Sequence, residues 1–333
     1  MDESATLRRL VRRFAGTRVL VVGDLMLDQF VWGDVSRISP EAPVPIVRVR
    51  RQEGRPGGAG NVVTNVVALG GKGDACGLVG DDLAGRALCA ALTIAGGGLA
   101  GVVRSRAVGT TAKTRVIAHS QQVVRFDQDP DADGIPARLA SRLRTWVGAH
   151  ARRYQVIVVS DYGKGVVTPE LLADLAALRR RHGFAYVIDP KRPNFTHYRG
   201  ASLMKPNLAE ASVAAGIEIE DRASLDAAGA ELLRRWQADA ILISRGEDGM
   251  TLFKPRARAQ HFPTAAQEVY DVTGAGDTVL ATCALALAIG GTFEEAARLA
   301  NHAAGVAVGK VGTATVSARE LVRALGSHAE RTR

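Results

Sequence analysis

Short apolar runs alternate along the chain with longer segments of helical periodicity. Runs rich in β-branched residues predict buried strands at 18–23, 156–161, 185–189, 202–207 and 240–246. One intervening segment opens with Thr168 and Pro169, residue types favoured at a helix N-cap and first turn. This alternation predicts an α/β fold with a mostly parallel central sheet and helices on both faces. In such sheets the ligands bind at the carboxyl ends of the strands.

Two segments depart from this layered pattern. Residues 30–50 alternate in polarity and contain three prolines, and residues 108–127 have the pattern of a hairpin that turns near 119–121. We interpret them as insertions into a single domain that spans 1–333. Together they would form a small second sheet that acts as a lid. Exposed edge strands favour pairing with another copy, although Pro43 and Pro45 would blunt one edge.

Composition narrows the class of protein. The 333 residues are 47% hydrophobic and 23% charged, which is typical of a globular chain. No apolar run reaches the roughly 18 residues of a membrane span, so we expect no membrane partner. The three cysteines, Cys76, Cys89 and Cys283, form no C-x-x-C motif. Their number and spacing favour a reducing compartment, and we expect a cytoplasmic protein.

A net charge of +9 favours anionic partners. The arginines are scattered, and neither zinc-finger spacing nor an RNA-binding aromatic motif occurs, so nucleic acid is not expected as a partner. A phosphorylated small molecule explains the charge equally well. The glycines at 96, 98 and 101 match a dinucleotide pattern, but they follow a predicted helix and precede a strand, which is the reverse of the required order.

The segment DVTGAGDTVLATCALALAI at 271–289 carries the most specific chemistry. Its Gly-Ala-Gly loop runs directly into an apolar helical stretch, and bare N–H groups at a helix N-terminus bind anions. Asp277 falls in the first turn, where a carboxylate can accept a proton from a hydroxyl. This arrangement suits phosphoryl transfer. A simple glycine turn with Asp277 as a capping acid is the structural alternative.

These residues resemble the closing D-x-x-G-A-G-D signature of the ribokinase-like (PfkB) carbohydrate kinases. GDLMLDQF at 23–30, PGGAGN at 56–61, KPNLAE at 205–210 and SRGEDGM at 244–250 resemble other elements of that family. The resemblance extends from about residue 18 to about residue 322. It implies a ribokinase-like three-layer fold and ATP-dependent phosphorylation of a sugar hydroxyl.

Longer strings, among them QQVVRFD, DYGKGVVT and DPKRPNF, resemble the heptose 7-phosphate kinases of this family. That resemblance implies transfer to the anomeric hydroxyl of D-glycero-β-D-manno-heptose 7-phosphate, on the route to ADP-heptose and the lipopolysaccharide inner core. Some relatives carry a fused nucleotidyltransferase with an H-x-G-H signature. This sequence lacks that signature, so a free-standing kinase is expected. Another sugar kinase of the fold, fructokinase-like or ribokinase-like, and a non-catalytic sensor are the alternatives.

The resemblance also assigns roles on the acceptor side. The catalytic set would be Asp277 as general base with the loop Gly274, Ala275 and Gly276. The N–H groups of Ala275, Gly276 and Asp277 would form the anion hole. The sugar hydroxyls would contact Asp24, Asp28, Gly57, Gly58 and Asn61. The alternatives are a turn residue for Asp24 and a helix N-cap for Asn61. The phosphate of the substrate would be held by cations of the predicted hairpin, Lys113, Arg115 and Arg125, unless these form a solvated strand face. Lys191, which follows a predicted strand, is another candidate.

On the nucleotide side, Asn207 and Glu210 would position Mg²⁺ through water, and a surface acid is the alternative for Glu210. The expected ATP contacts are Lys205, Asn207, Leu208, Ala209, Glu210, Ser244, Gly246 and Gly249, with Asn301, Gly305 and Gly312 at the adenine end. The resemblance further implies a monovalent cation near the anion loop, as in some relatives, and a homodimer through the lid strands.

Overall fold

The computed structural model describes residues 3–119, 121–130, 134–266, 268–310, 312 and 314–331. Thirteen strands lie within these ranges: β1 (Arg18–Gly23), β2 (Leu25–Ile38), β3 (Pro45–Gly58), β4 (Lys72–Gly80), β5 (Gly98–Ser105), β6 (Thr111–Ala118), β7 (Gln121–Gln128), β8 (Val156–Ser160), β9 (Ala185–Asp189), β10 (Leu203–Met204), β11 (Ala240–Ser244), β12 (Met250–Phe253) and β13 (Gln260–Phe262).

Ten α-helices accompany them over the same ranges: α1 (Glu3–Arg12), α2 (Ala59–Ala68), α3 (Leu83–Ile94), α4 (Ala137–His150), α5 (Pro169–His182), α6 (Leu208–Ala215), α7 (Arg222–Trp236), α8 (Ala275–Ala288), α9 (Phe293–Val308) and α10 (Ala318–Arg331). The Thr168 side chain caps α5 by accepting from the N–H of Leu171, with Pro169 in the first turn as predicted. No helix in the described ranges has the length and apolar character that a membrane-spanning segment needs.

The main sheet contains nine of the described strands in the order β13-β12-β11-β10-β9-β8-β1-β4-β5. All neighbours from β11 to β5 are parallel, and β12 and β13 continue the sheet antiparallel. Each predicted strand is present in this sheet, although β10 is reduced to two residues. The predicted α/β fold with a mostly parallel central sheet is confirmed.

Two apolar cores cover the two faces of this sheet. Alternate residues of β1 illustrate the division, since Val19 and Val21 belong to one core and Leu20 and Val22 to the other. The first core contains residues of α1, α2, α3, α8, α9 and α10, and the second contains residues of α4 to α7. The sheet is therefore buried on both sides, which explains why its strands are continuous apolar runs in the sequence.

The second sheet has four described strands in the order β3-β2-β6-β7. It is longer than the predicted segments, because pairing of β2 with β3 begins at Leu25 and Gly58. Leu25, Met26 and Leu27 are buried, so this part of β2 lacks the polar alternation that marked the rest. The predicted turn near 119–121 includes residue 120, which lies outside the described residues.

Candidate active site

The N-terminus of α8 is at the centre of the site. Gly274 is its N-cap with φ of 81°, a left-handed conformation that favours glycine. The first N–H groups of a helix have no acceptor within the helix, and the helix dipole adds partial positive charge there. Ala275 departs from the prediction, because its N–H donates to the carbonyl of Val272 at 3.2 Å. The candidates for anion binding are the N–H groups of Gly276 and Asp277.

A buried lysine lies beside this turn. A Cβ placed on Gly276 would be 3.6 Å from Nζ of Lys205, and the same Nζ is 3.1 Å from Oδ1 of Asp189. Burial lowers the pKa of Lys205, but the charges of Asp189 and Glu210 outweigh burial and raise its pKa overall. The ammonium therefore remains charged next to the helix terminus, where it can bind an anion.

Asp277 lies in the first turn of α8, as predicted, and its side chain is buried. Its Oδ2 accepts from Nδ2 of Asn61 at 2.7 Å, and its Oδ1 accepts from the phenol of Tyr162 at 2.9 Å. Burial raises the pKa of Asp277, while the two hydrogen bonds and Lys205 oppose the rise. Both bonds are donated to the carboxylate, and each oxygen keeps a lone pair for a substrate proton.

Asn61 is not the N-cap of α2. The cap is Gly58, with φ of 54°, and Asn61 lies one turn further on with its amide directed at Asp277. The capping alternative is therefore wrong. A Cβ on Gly58 would approach the carbonyl oxygen of Asp24 to 2.5 Å, so a glycine is needed where this helix meets the loop after β1.

Asp28 lies on β2 and belongs to the same site. Its Oδ1 accepts from Nη1 of Arg115 on β6 at 2.8 Å. A Cβ on Gly57 would be 2.3 Å from its Oδ2, so Gly57 gives this carboxylate its space. The charge of Asp28 also raises the pKa of Asp277, though less than burial does. The second sheet therefore brings a carboxylate close to α8.

Asp24 is bound by backbone groups of the loop after β8, and its predicted sugar contact stays a prediction. The side chain is buried, and it accepts the N–H groups of Tyr162 at 2.8 Å, Lys164 at 3.1 Å and Val166 at 3.1 Å. Burial raises the pKa of Asp24 to about 6. Asp24 holds the loop that follows β8.

The four predicted phosphate-binding cations differ in their partners. Arg115 pairs with Asp28, Arg125 binds both carboxylate oxygens of Asp127, and Lys191 pairs with Glu210. Lys113 has no ion pair with any residue that the structure describes; its Nζ lies 5.5 Å from the ring centroid of Tyr162. Burial lowers the pKa of Lys113, and Asp28 opposes this. Of the four, Lys113 is the half-buried cation for which the described residues supply no ion pair, so it is available to an anion.

A cavity of ≈ 470 Å³ adjoins the N-terminus of α8. Lys205, Ala275 and Gly276 form one end of it. Most of its remaining lining is apolar or backbone, which suits a flat heterocycle with a phosphate tail. Further predicted nucleotide contacts in the lining are Ser244, Gly246, Gly249, Asn301 and Gly305.

Several predicted nucleotide contacts are placed elsewhere. Gly312 is not among the described residues that line the cavity; its N–H donates to Oδ2 of Asp271 at 3.0 Å, and its place at the adenine end stays a prediction. Leu208 lines a separate cavity of ≈ 270 Å³ with Asp221 and Arg245. Ala209, Asn207 and Glu210 also lie outside the main cavity lining. The amide of Asn301 donates to the carbonyl of Pro263 at 2.6 Å.

Asn207 and Glu210 form a capping box at the start of α6. The Asn207 side chain accepts the N–H of Glu210 at 2.8 Å, and Oε2 of Glu210 accepts the N–H of Asn207 at 2.9 Å. The described residues contain no cluster of three or more acidic, histidine or cysteine side chains able to hold a metal. Glu210 can accept further hydrogen bonds, which fits contact with a hydrated ion rather than direct ligation.

Tyr162 was missed in the sequence. It follows β8 at the carboxyl end of the sheet and contacts Asp277, Lys113 and Lys191. Asp189 was also missed, although it ends β9. Their positions in the sequence could have indicated them. Tyr162 lies just after the buried strand β8 and Asp189 ends the buried strand β9, at the edge where such sheets bind ligands.

The family assignment follows from comparison with known sequences. The profile of the pfkB family of carbohydrate kinases matches residues 16–320. The chain is a member of the PfkB family. It is therefore a carbohydrate kinase, an enzyme of an ATP-dependent family.

Curated relatives agree with this PfkB assignment, and solved structures confirm the predicted ribokinase-like fold. Proteins named bifunctional protein HldE from Geobacter sulfurreducens and Geotalea uraniireducens are 48% and 47% identical over 97% of this chain. The chain spans 66% of the length of each. Arabidopsis thaliana ribokinase complexed with ribose and ATP superposes with a TM-score of 0.72 at 19% identity, covering 93% of this chain and 99% of that one. Escherichia coli phosphofructokinase-2 in complex with potassium superposes with a TM-score of 0.79 at 19% identity, and the match covers 94% of this chain and 99% of that one.

Proposed function

We propose that this PfkB kinase transfers the γ-phosphoryl group of ATP to the anomeric hydroxyl of D-glycero-β-D-manno-heptose 7-phosphate. The product is the 1,7-bisphosphate, a precursor of ADP-heptose. The observation that carries the proposal is the buried carboxylate of Asp277 at the N-terminus of α8, where Ala275 and Gly276 line the cavity of ≈ 470 Å³ and the charge of Asp28 of the second sheet acts on Asp277. The long strings shared with heptose kinases and the relatives named HldE support the choice of sugar.

In the proposed reaction, Asp277 accepts the proton of the anomeric hydroxyl as the oxygen attacks the γ-phosphorus. The new O–P bond forms while the bond from the γ-phosphorus to the bridging β–γ oxygen breaks, and ADP leaves. The N–H groups of Gly276 and Asp277 and the ammonium of Lys205 stabilise the charge on the transferred group. Each of these donors is already oriented by α8 or by Asp189, so no reorganisation is needed.

The residues present fit ATP and a hydrated Mg²⁺. The cavity ends at the positive terminus of α8, and Glu210 with Asn207 would hold the hydration shell of the ion. Mg²⁺ supplies positive charge that offsets the phosphate oxygens during transfer. The monovalent cation near the anion loop stays a prediction, and comparison of turnover in potassium and sodium salts tests it.

Lys113 would bind the 7-phosphate of the acceptor. Its ammonium is half-buried on the second sheet beside Tyr162 and carries no ion pair within the described ranges, whereas Arg115, Arg125 and Lys191 each have a carboxylate. A half-buried ammonium that makes no ion pair is incompletely neutralised, so a dianionic phosphate there would be attracted.

Turnover of a sugar panel tests the proposed function. ADP release with MgATP would be measured for heptose 7-phosphate, fructose, fructose 6-phosphate and ribose. We expect kcat/KM for heptose 7-phosphate to exceed the others by about 100-fold, equivalent to about 2.7 kcal/mol. Faster turnover of another sugar would reject the heptose assignment and keep the kinase. No turnover of any sugar would favour a sensor.

We also propose a homodimer through the second sheet. Every residue of the edge strand β7 is exposed, and the surface of this sheet carries Val49, Val124 and Phe126, which are 56%, 48% and 56% exposed. An exposed apolar edge strand is prone to pairing with another chain. Light scattering after gel filtration should give twice the mass of the chain, and Phe126→Glu should shift it towards the monomer. A wild-type monomer at micromolar concentration would contradict the dimer.

A further inference from the structure

The phenol of Tyr162 donates to Oδ1 of Asp277, and the reaction proposed above makes no use of this contact. Tyr162 and Asp277 are 115 positions apart in the sequence. The tyrosine lies in the loop after β8, and the aspartate lies in the first turn of α8. Their hydrogen bond joins the two elements at the point where a proton would be transferred.

Tyr162 is held in place from three directions. Its backbone N–H donates to Oδ2 of Asp24 at 2.8 Å. The ammonium groups of Lys113 and Lys191 lie 5.5 Å and 5.9 Å from the centroid of its ring, within the range of cation–π attraction. These contacts restrict the ring, so the phenol has a fixed direction relative to Asp277.

Two hydrogen-bond donors and three charged groups act on Asp277. Asn61 of α2 and Tyr162 donate to it, and the charge of Lys205, which follows β10, lowers its pKa. Two carboxylates oppose its ionisation, namely Asp28 of β2 and Asp189 at the end of β9. Loss of one donor would therefore leave the ionised form of Asp277 in a buried site with two negative neighbours.

We propose that Tyr162 is a positioning residue for the general base: its phenol fixes the Asp277 carboxylate and stabilises the charged form that accepts the substrate proton. The inference rests on the proposed role of Asp277 as base. Burial and the charge of Asp277 raise the pKa of Tyr162 well above its ordinary value, so the phenol keeps its proton and remains a donor. Its bond lowers the pKa of Asp277 against the effect of burial.

The test is the pH profile of kcat for Tyr162→Phe. Phenylalanine keeps the ring between Lys113 and Lys191 and removes only the hydroxyl. We expect the acid limb to move up by about one pH unit, which lowers kcat about 10-fold on that limb. At pH values above the limb, kcat should stay within about 3-fold of wild type. KM for ATP should not change.

A matched control comes from the opposite end of the sheet. The phenol of Tyr154 donates to Oδ2 of Asp74 at 3.0 Å, so Tyr154→Phe also removes one tyrosine–aspartate hydrogen bond. Its pH profile should superimpose on that of wild type. If Tyr162→Phe lowers kcat equally at every pH, or leaves the profile unchanged, the positioning role is rejected.

A second readout separates this inference from the proposed function. The carboxyl carbon of Asp277 would be titrated by ¹³C NMR in the free protein, with Asp277→Asn used to assign the signal. Tyr162→Phe should raise the titration midpoint by about one pH unit. A midpoint equal to that of wild type overturns the inference whatever sugar the enzyme uses, whereas inactivity towards every sugar overturns the proposed function alone.

Discussion

Lys205 and Asp189 form a buried ion pair at the carboxyl end of the main sheet, with Nζ and Oδ1 3.1 Å apart. Asp189 ends β9 and Lys205 follows the neighbouring strand β10, and the ammonium also lies close to Gly276. One side chain thus neutralises a buried carboxylate and presents positive charge to the N-terminus of α8, the proposed phosphoryl site.

Lys205→Met should impair both stability and turnover. The uncompensated charge of Asp189 should lower the free energy of unfolding by about 3–5 kcal/mol in urea denaturation. The double variant Asp189→Asn/Lys205→Met should regain most of that stability, because no buried charge is left unpaired. It should not regain turnover, since the cation is still missing. Recovery of turnover in the double variant would contradict the phosphate contact.

The stability of Lys205→Met should also depend on pH. Burial raises the pKa of Asp189 to about 6 in the native protein, above the 3.8 of a free aspartate, although Lys205 opposes the shift. A folded-state pKa above the unfolded value favours folding at low pH, and this contribution is lost as the pH rises through the folded value. Without Lys205 the pKa of Asp189 should rise further, so more stability should be lost as the pH rises. The urea midpoints of variant and wild type should therefore differ less at pH 5.5 than at pH 8.

Asp277→Asn should lower kcat by about 100-fold or more, because an amide cannot take up the proton of the hydroxyl. ATP binding, measured by calorimetry, should be retained, since the N–H groups of α8 and Lys205 remain. Asp226→Asn on the exposed face of α7 is the matched control and should have wild-type kcat. Unaltered turnover in Asp277→Asn would exclude this residue as the base.

Lys113→Met should raise KM for heptose 7-phosphate by about 10-fold, in keeping with the loss of one charged hydrogen bond. The kcat should change little, because the ammonium binds a group remote from the reacting hydroxyl. For an unphosphorylated sugar, KM should not change. Lys72→Met, an exposed lysine at the start of β4, serves as the control. An equal rise in KM for both sugars would place the effect outside the phosphate contact.

Gly57→Ala should weaken acceptor binding without affecting ATP. The new methyl group would overlap Oδ2 of Asp28 at 2.3 Å and displace the carboxylate from Arg115. We expect KM for the sugar to rise by about 10-fold or more, the loss of about 1.4 kcal/mol or more of binding. Gly148→Ala in α4 is the control, because no atom lies within 4 Å of its new Cβ. It should raise the free energy of unfolding by about 0.5–1 kcal/mol.

Sequence patterns predicted those strands and helix ends that depend on residues close to one another in the sequence. The buried strands follow from apolar runs, and Asp277 falls in the first turn of α8 because Gly274 and the apolar stretch define where that helix begins. The boundaries of the second sheet were less accurate, because the first residues of β2 are buried and lose polar alternation.

Contacts between distant segments could not be read from the same patterns. Asp24 and Asp28 are four positions apart and of one residue type, yet one accepts three backbone N–H groups and the other faces the site. The difference depends on the path of the loop after β8, which packs against Asp24 from more than 130 positions away. Tyr162 contacts Asp277 from that same loop, so this contact could not be predicted from local sequence patterns.

The proposed acceptor contacts and the proposed phosphate contacts lie in different layers of the molecule. Asp28, Gly57 and Lys113 belong to the four-stranded sheet, whereas Lys205 follows a strand of the nine-stranded sheet and the first turn of α8 packs beside it. On these assignments, substitutions in β2, β3 and β6 should change which sugar is accepted and leave the handling of ATP as it is.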